Sequence, residues 1–423
     1  MKRVVALLWI LIGTSASSFA LEGDFTGYLR GGTGLNLQGG QEECFNNEGI
    51  PGNFLRLGNE CGFYSELAIV FSNKKADEND GAYFRTQMRI TTDSRGTRQW
   101  ERAADRDMSQ IEAFVTAGGF SEVAGDFWIG KRFYRDVDLY IFDWYYFADM
   151  SGVGAGVENI PLGSGKFSLA HLIQANDTVS SSVGKPVLQA IDLRWKTLPV
   201  RDQLLYLWGV YAWAPRSTEG VNEYVKTDGY SLSARVSGPL ATGNNNLSLM
   251  YGKGTMKDFN IYANSALPET NDSQNRAWTI RVVEDWQKEV SARWAVLFAL
   301  AGEIGDNGTD TLKHREWQAI GIRPIYFVSD RFQWVFETGY SRYKNDAEVD
   351  GLGNPIGARE LGRVSLAPQL SLSKSIWVRP VMRAFVAYSF WTDSNKTYVD
   401  NKAPSFADKN AGMSFGYQFE AWF

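Results

Sequence analysis

Residues Met413 to Phe423 read M-S-F-G-Y-Q-F-E-A-W-F. Phe415, Tyr417, Phe419, Ala421 and Phe423 form one parity, and it is apolar. Ser414, Gly416, Gln418, Glu420 and Trp422 form the other. Successive side chains of a strand point to opposite faces, so one face of this segment is greasy and the other wet. A chain that ends on an aromatic after such an alternation suits the closing strand of an outer-membrane β-barrel. There the apolar face meets lipid and the polar face meets a water-filled interior. Trp422 departs from the pattern, because it sets a large ring on the polar face.

Length and charge fit that reading. Lys2 and Arg3 precede the apolar run Val4 to Ile12, and Ser18-Phe19-Ala20 puts small residues at the two cleavage-determining positions. Residues 1–20 are therefore expected to be a signal peptide that is cleaved on export. The run is shorter than the roughly 20 residues of a membrane-spanning helix. Residues 21–423 remain as one barrel domain, with 41 basic against 48 acidic side chains and a formal charge of −7. That balance does not suggest nucleic acid. Two His and two Cys leave little for metal, cofactor or acid–base chemistry, so an enzyme is not expected. A barrel lipase or protease needs a base beside its nucleophile, and neither His171 nor His314 stands near such a motif. The many aromatics (15 Trp, 19 Tyr, 25 Phe) occur without overall hydrophobicity, as aromatic girdles around a polar lumen require.

Eighteen segments of alternating polarity follow one another, from Gly27–Gly34 to Met413–Phe423. The seventeenth is placed at Val378–Phe390. The count is even, as single-chain bacterial barrels require, and long polar connectors alternate with short turns. No repeat of a propeller blade is visible. Gly163-Ser164-Gly165-Lys166 has Phe167 where a phosphate-binding loop needs Ser or Thr, and reads as a tight turn. His171 is expected in the lumen or at an interface. The acidic run around Asp105-Arg106-Asp107 reads as a solvated charge cluster in an outer loop. Phe133 to Ser151 mixes four acids with eight aromatics, which suits a loop folded inward against the barrel wall and narrowing the pore. Cys44 and Cys61 lie in a loop-like segment of an exported chain, where a disulfide is the default and two free thiols the alternative.

Parity also sorts the candidate site. Tyr28 shares a face with Arg30, Tyr64 with Glu66, Trp377 with Arg379 and Arg383, and Trp422 with Glu420 and Gln418. An Arg or Lys on the lipid face near mid-membrane costs about 2–4 kcal/mol, so these faces are luminal. Aromatic rings beside ionic groups suit carbohydrate: the ring takes the C–H face of a sugar, and the charges bond its hydroxyls. The four rings come from the two ends of the chain, which become adjacent when a barrel closes. A general diffusion porin would show a charged eyelet without the row of rings.

With these features the chain resembles the maltoporins, the sugar-specific porins of Gram-negative outer membranes. The resemblance is carried by F-T-G-Y-L-R at 25–30, Cys44 with R-L-G-N-E-C at 56–61, G-K-R-F-Y at 130–134 and D-W-Y-Y-F at 143–147. It continues in S-G-V-G-A-G-V-E-N-I at 151–160, G-I-R-P at 321–324, S-I-W-V-R-P at 375–380 and the terminal E-A-W-F. It implies an eighteen-stranded, multi-pass, homotrimeric barrel that passes maltose and maltodextrins, with ions, along a helical row of aromatics. Tyr28, Tyr64, Trp377 and Trp422 fall on that slide, and Trp100 resembles the ring lent by a neighbouring subunit. Arg30 and Arg56 resemble members of the flanking ionic track, and Asp138, Asp143 and Tyr145 resemble residues of the constriction. Three positions depart. The innermost slide ring falls on Asn244. A constriction Arg falls on Asp136, with Arg135 one place earlier. A track Arg falls near Ile111, where Arg106 is the nearest substitute. The departures imply a shorter slide and a more acidic constriction. The partners expected are a carbohydrate substrate, outer-membrane lipid and two further copies of the chain.

Overall fold

The computed structural model describes residues 22–73, 81–94, 106–174, 187–219, 222–263, 270–309 and 314–423. Eighteen strands form one sheet that closes on itself. They are β1 Glu22–Asn36, β2 Gly62–Ser72, β3 Tyr83–Ser94, β4 Arg106–Gly118, β5 Asp126–Arg132, β6 Gly152–Leu162, β7 Gly165–Gln174, β8 Leu188–Val200 and β9 Gln203–Ala214. The sheet continues with β10 Thr227–Leu240, β11 Gly243–Gly254, β12 Trp278–Ser291, β13 Trp294–Asp306, β14 His314–Phe327, β15 Phe332–Asn345, β16 Arg359–Leu370, β17 Val381–Trp391 and β18 Ala411–Trp422. Each strand pairs antiparallel with its neighbours in sequence. β1 closes on β18 in a register that sets Tyr28 against Trp422 and Asn36 against Ser414. The ladder is complete because no edge is left, which is what a bilayer demands of strands.

The alternation read in the sequence is realised as two unlike surfaces. In β11 Leu247 and Leu249 are exposed while Ser248 and Met250 are buried. In β14 Ile320 and Ile322 are exposed while Arg323 is buried. The outside is an apolar band, and the buried side carries the ions. Tyr211 stacks with Trp213 on the outside near the long-loop end of β9 (5.7 Å, 20°). Trp294 and Tyr326 pair beside the short turns at the other end (4.8 Å). Two belts of rings at the rims of an apolar band mark the lipid–water boundaries. His171 shares the outer face with Leu169 and Ile173, both exposed, and its ring stacks on Trp213 at 6.4 Å. Of the two expected places, the lumen is excluded.

Residues 163–164 form the tight turn between β6 and β7. Ala241 and Thr242 join β10 to β11 with positive φ (48° and 63°) at both positions. That is the two-residue turn whose twist matches a hairpin. Long connections occupy the other end: residues 37–61, 133–151, 255–277 and 392–410. By the rule that outer loops are long and periplasmic turns short, these ends are the outer and the periplasmic rims.

One strand begins later than its pattern suggests. β17 starts at Val381, and residues 371–380 form an irregular connection at the short-turn end. Pro380 cannot donate to a ladder, so the extended reading from Val378 fails there. Trp377 and Arg379 therefore lie outside the strand, and parity does not place them; their contacts do.

Candidate functional site

The closing seam assembles the rings that parity selected. β1 aligns Tyr28 with Glu66 and Arg30 with Tyr64 across β2, while its other edge aligns Tyr28 with Trp422. The Tyr28 and Tyr64 rings lie 6.1 Å apart at 56°. Trp422 stands at the end of β18, with the Arg379 guanidinium 4.1 Å from its ring centre. Trp377 meets the ring of Tyr140 edge-on at 5.2 Å and 77°. Trp377 and Trp422 keep 41% and 37% of their surface exposed. Rings with that much free surface are not core packing. In space the series runs from Tyr64, near the outer end of β2, through Tyr28 to Trp422 and Trp377 near the periplasmic rim.

Ions flank the rings. Arg30 donates to Glu60 (2.5 Å) and reaches Asp143 (3.1 Å). Arg56 donates to Glu60 (2.6 Å) and to the Tyr28 hydroxyl (2.5 Å), and pairs with Glu420 (3.1 Å). Glu420 is almost wholly buried. It accepts hydrogen bonds from Tyr28 (3.0 Å), Tyr140 (2.6 Å) and Arg379 (2.8 Å), with Arg383 at 3.5 Å. A buried charge persists only when paired and hydrogen-bonded, and three guanidiniums around one carboxylate meet that condition.

The 133–151 segment touches strands around the ring. Phe133 N–H donates to Glu112 of β4, and Arg194 of β8 lies 3.6 Å from the centre of the Tyr134 ring. Phe147 meets Trp208 of β9, Asp136 pairs with Arg235 of β10 (3.4 Å), and Tyr146 meets Ser248 of β11. Trp144 packs under Arg281 of β12 and against Trp317 of β14, and Tyr140 reaches Glu420 of β18. Residues 37–61 join it: Asn53 N–H donates to Phe142 O, Arg56 N–H to Ile141 O, and Leu57 N–H to Glu337.

Arg135 is sandwiched between the rings of Phe133 (3.8 Å) and Tyr145 (3.5 Å). Asp136 turns instead to Arg235, so the two neighbours go separate ways. A register shift between Val137 and Asp138 in the short ribbon of this segment breaks simple alternation. Asp138 is half-buried; burial pushes its carboxyl up, opposed by Arg56 and Arg135. Asp143, Asp138, Tyr145 and Arg135 thus share one electrostatic neighbourhood with Arg30 and Arg56. Asn244 lies at the start of β11, next to the periplasmic turn, and is exposed. Trp100 and residues 1–20 lie outside the described residues.

Sequence reasoning missed several partners. Arg89 of β3 bridges Glu66 (2.9 Å) and Glu112 (2.6 Å). Ile111 falls in a β-bulge opposite Arg89 and Ile90, so the cation sought near Ile111 sits one strand away. Parity with Gln87 and Thr91 was the available signal. Glu60 and Tyr140 gave none, since both depend on how long connections fold. The Cys44–Cys61 disulfide is formed, with Cα atoms 5.8 Å apart, and it ties residues 37–61 to the head of β2.

A closed antiparallel barrel with an apolar outside and a buried lining of ions and rings is the make-up of an outer-membrane porin. Residues 24–423 match the family model described as LamB porin, and the chain belongs to that family, the maltoporins. Among solved structures it is similar to an anion-selective porin from Comamonas acidovorans, at 10% identity and a TM-score of 0.46 over 95% of this chain and 100% of that one. It is also similar to the outer-membrane expressed OmpT of Vibrio cholerae, at 10% identity and 0.40, covering 96% of this chain and 100% of that one. A third is the outer membrane channel DcaP of Acinetobacter baumannii, at 12% identity and 0.39, covering 96% and 99%.

Proposed function

We propose that this porin passes sugars, maltose and maltodextrins foremost, by facilitated diffusion along Tyr64, Tyr28, Trp422 and Trp377. The single observation that carries the reading is the pairing of exposed rings with ions along one seam: Tyr28 opposite Trp422, with Arg30, Arg56 and Glu420 alongside. Rings hold the sugar's C–H faces while charged groups exchange water for its hydroxyls, so net binding stays modest. A conduit needs that, because the substrate must also leave.

In this reading the 133–151 segment is the constriction loop, folded inside the barrel. Its contacts with β4, β8–β12, β14 and β18 support that path. Arg135, Asp138, Asp143 and Tyr145 form the narrow point. The chain is exported by a cleaved signal peptide to the outer membrane of a Gram-negative cell and assembles as a homotrimer, each Trp100 serving a neighbour's pore. No catalysis, metal or cofactor is part of the proposal. A different oligosaccharide is the second reading, favoured by Asn244, which offers no ring at the inner end, and by Asp136, which offers no cation.

Single-channel conductance decides. Added glucose oligomers should block the current, and the block should lengthen with chain length until the rings are filled. If maltose, maltotriose and longer glucans leave the current unchanged, a general diffusion porin is the better account.

A further inference from the structure

Above Tyr64 the barrel holds a cavity of about 610 Å³, lined by Arg30, Glu42, Asn53, Tyr64, Asp93 and Tyr398 among others. That lies within the roughly 300–1,000 Å³ of small-ligand sites. Its floor is the outer end of the ring series. Its walls are the disulfide-tied 37–61 connection and the helix Lys396–Lys402 of the 392–410 connection. One wall residue is anomalous. Glu42 is 6% exposed, yet among the described residues neither of its carboxylate oxygens has a hydrogen-bond partner. A buried polar group without a partner is rare in folded proteins and calls for an account.

Two accounts fail on the page. Cys44 and Cys61 lie near enough to Glu42 to suggest a metal cluster, but their sulfurs are bonded to each other and hold no ion. Arg363 is the cation whose charge Glu42 feels, but it donates to Ser389 and to the carbonyls of Leu57 and Gly58 instead. An acceptor-only group at the wall of a polar cavity wants donors, and a saccharide brings several hydroxyls to one place.

We propose that this cavity is an outer saccharide subsite, in which Glu42 accepts hydroxyl hydrogen bonds and delivers a glucan end to Tyr64 and Arg30. The proposal rests on the sugar-porin reading and adds a receiving station that the four rings do not provide. Asn53, at the cavity wall, already touches Asp143 (3.3 Å), so the station is continuous with the narrow point. Burial pushes the Glu42 carboxyl up to about 7, with Arg363 opposing and Glu60 adding to the rise. Glu43, Asp93 and Arg30 line the same cavity. The carboxylate therefore forms as pH rises through 7, and capture should strengthen in that direction.

The test is current block by maltotriose and maltohexaose, added separately to the long-loop and short-turn sides of full-length channels. Glu42→Gln should slow capture from the long-loop side about threefold to tenfold at pH 8 and change capture from the other side less. Wild-type capture from the long-loop side should rise between pH 5 and pH 8, and the E42Q profile should be flat. If both sugars block wild type while E42Q matches it from both sides, the subsite is wrong and the porin reading stands. If no glucan blocks wild type, the porin reading fails and takes the subsite with it. Should E42Q fail to assemble, a flat wild-type pH profile is sufficient to overturn the subsite.

Discussion

Glu420 holds the seam, the rings and the 133–151 segment together, so its removal tests the assembled site directly. Tyr28, Tyr140 and Arg379 donate to it at 3.0, 2.6 and 2.8 Å, and Arg56 and Arg383 complete its surroundings at 3.1 and 3.5 Å. Glu420→Ala would leave three guanidiniums buried without their shared anion, a loss of about 3–5 kcal/mol by the measured behaviour of broken buried pairs. Tyr140→Phe is milder. It removes the hydroxyl that donates to Glu420 and accepts from Arg379 at 2.5 Å, worth about 1–3 kcal/mol where one partner is charged. Glu420→Gln keeps the shape and one acceptor and should fall between them. The assay pairs the temperature at which the folded band shifts in a heat-modifiability gel with single-channel recording. Glu420→Ala should lower the transition and make the open current flicker, because Tyr140 loses its hold on the wall. The double variant Tyr140→Phe, Glu420→Ala should cost less than the sum, since both remove one contact. A Glu420→Ala channel with wild-type transition, quiet current and unchanged sugar block would refute the reasoning.

Trp422→Ala or Trp377→Ala should weaken glucan block by about 1–3 kcal/mol, by analogy with ring stacking on bases, while open conductance holds or rises. Equal block in wild type and both variants would remove these rings from the sugar path. Reduction of Cys44–Cys61 should leave the barrel folded and speed proteolysis within residues 37–61; chain-entropy estimates give about 3 kcal/mol for a loop of this length. Identical cleavage rates with and without reductant would count against it. The protein should migrate as a heat-modifiable trimer, and a monomer at native mass in mild detergent would oppose the role given to Trp100.

The strands were legible because a barrel repeats one local rule. Lipid on one side and ions on the other force period-two alternation, so each of the eighteen strands leaves its mark. Phe133–Ser151 was legible as a connection because rings and acids interrupt that alternation, and the structure places it between Arg132 and Gly152. What failed was extrapolation past a strand's end. Trp377 and Arg379 were sorted by the parity of β17, yet they lie in the connection before it. Parity carries no information once the ladder stops at Pro380. The path of Arg135 and Asp136 was hidden for the same reason, because the ribbon of that segment shifts register between Val137 and Asp138.

Glu60, Tyr140 and Arg89 show a second limit. Each gains its place from an element distant in sequence: Glu60 from β1 and β18, Tyr140 from β18, Arg89 from β2 and β4. The same holds for the ring series itself, since Tyr28 and Trp422 are 394 positions apart and meet only when β1 pairs with β18. Loop closure over such a span is slow and has a large entropic cost, so this seam is expected to form late. Glu420 then cannot find Arg56, Tyr28 or Tyr140 before closure. A barrel open at the seam would keep most of its ladder but would have neither ring path nor shared anion. The binding path is therefore a product of the final pairing, which ties sugar recognition to the one step that also removes the last unpaired edges from the membrane.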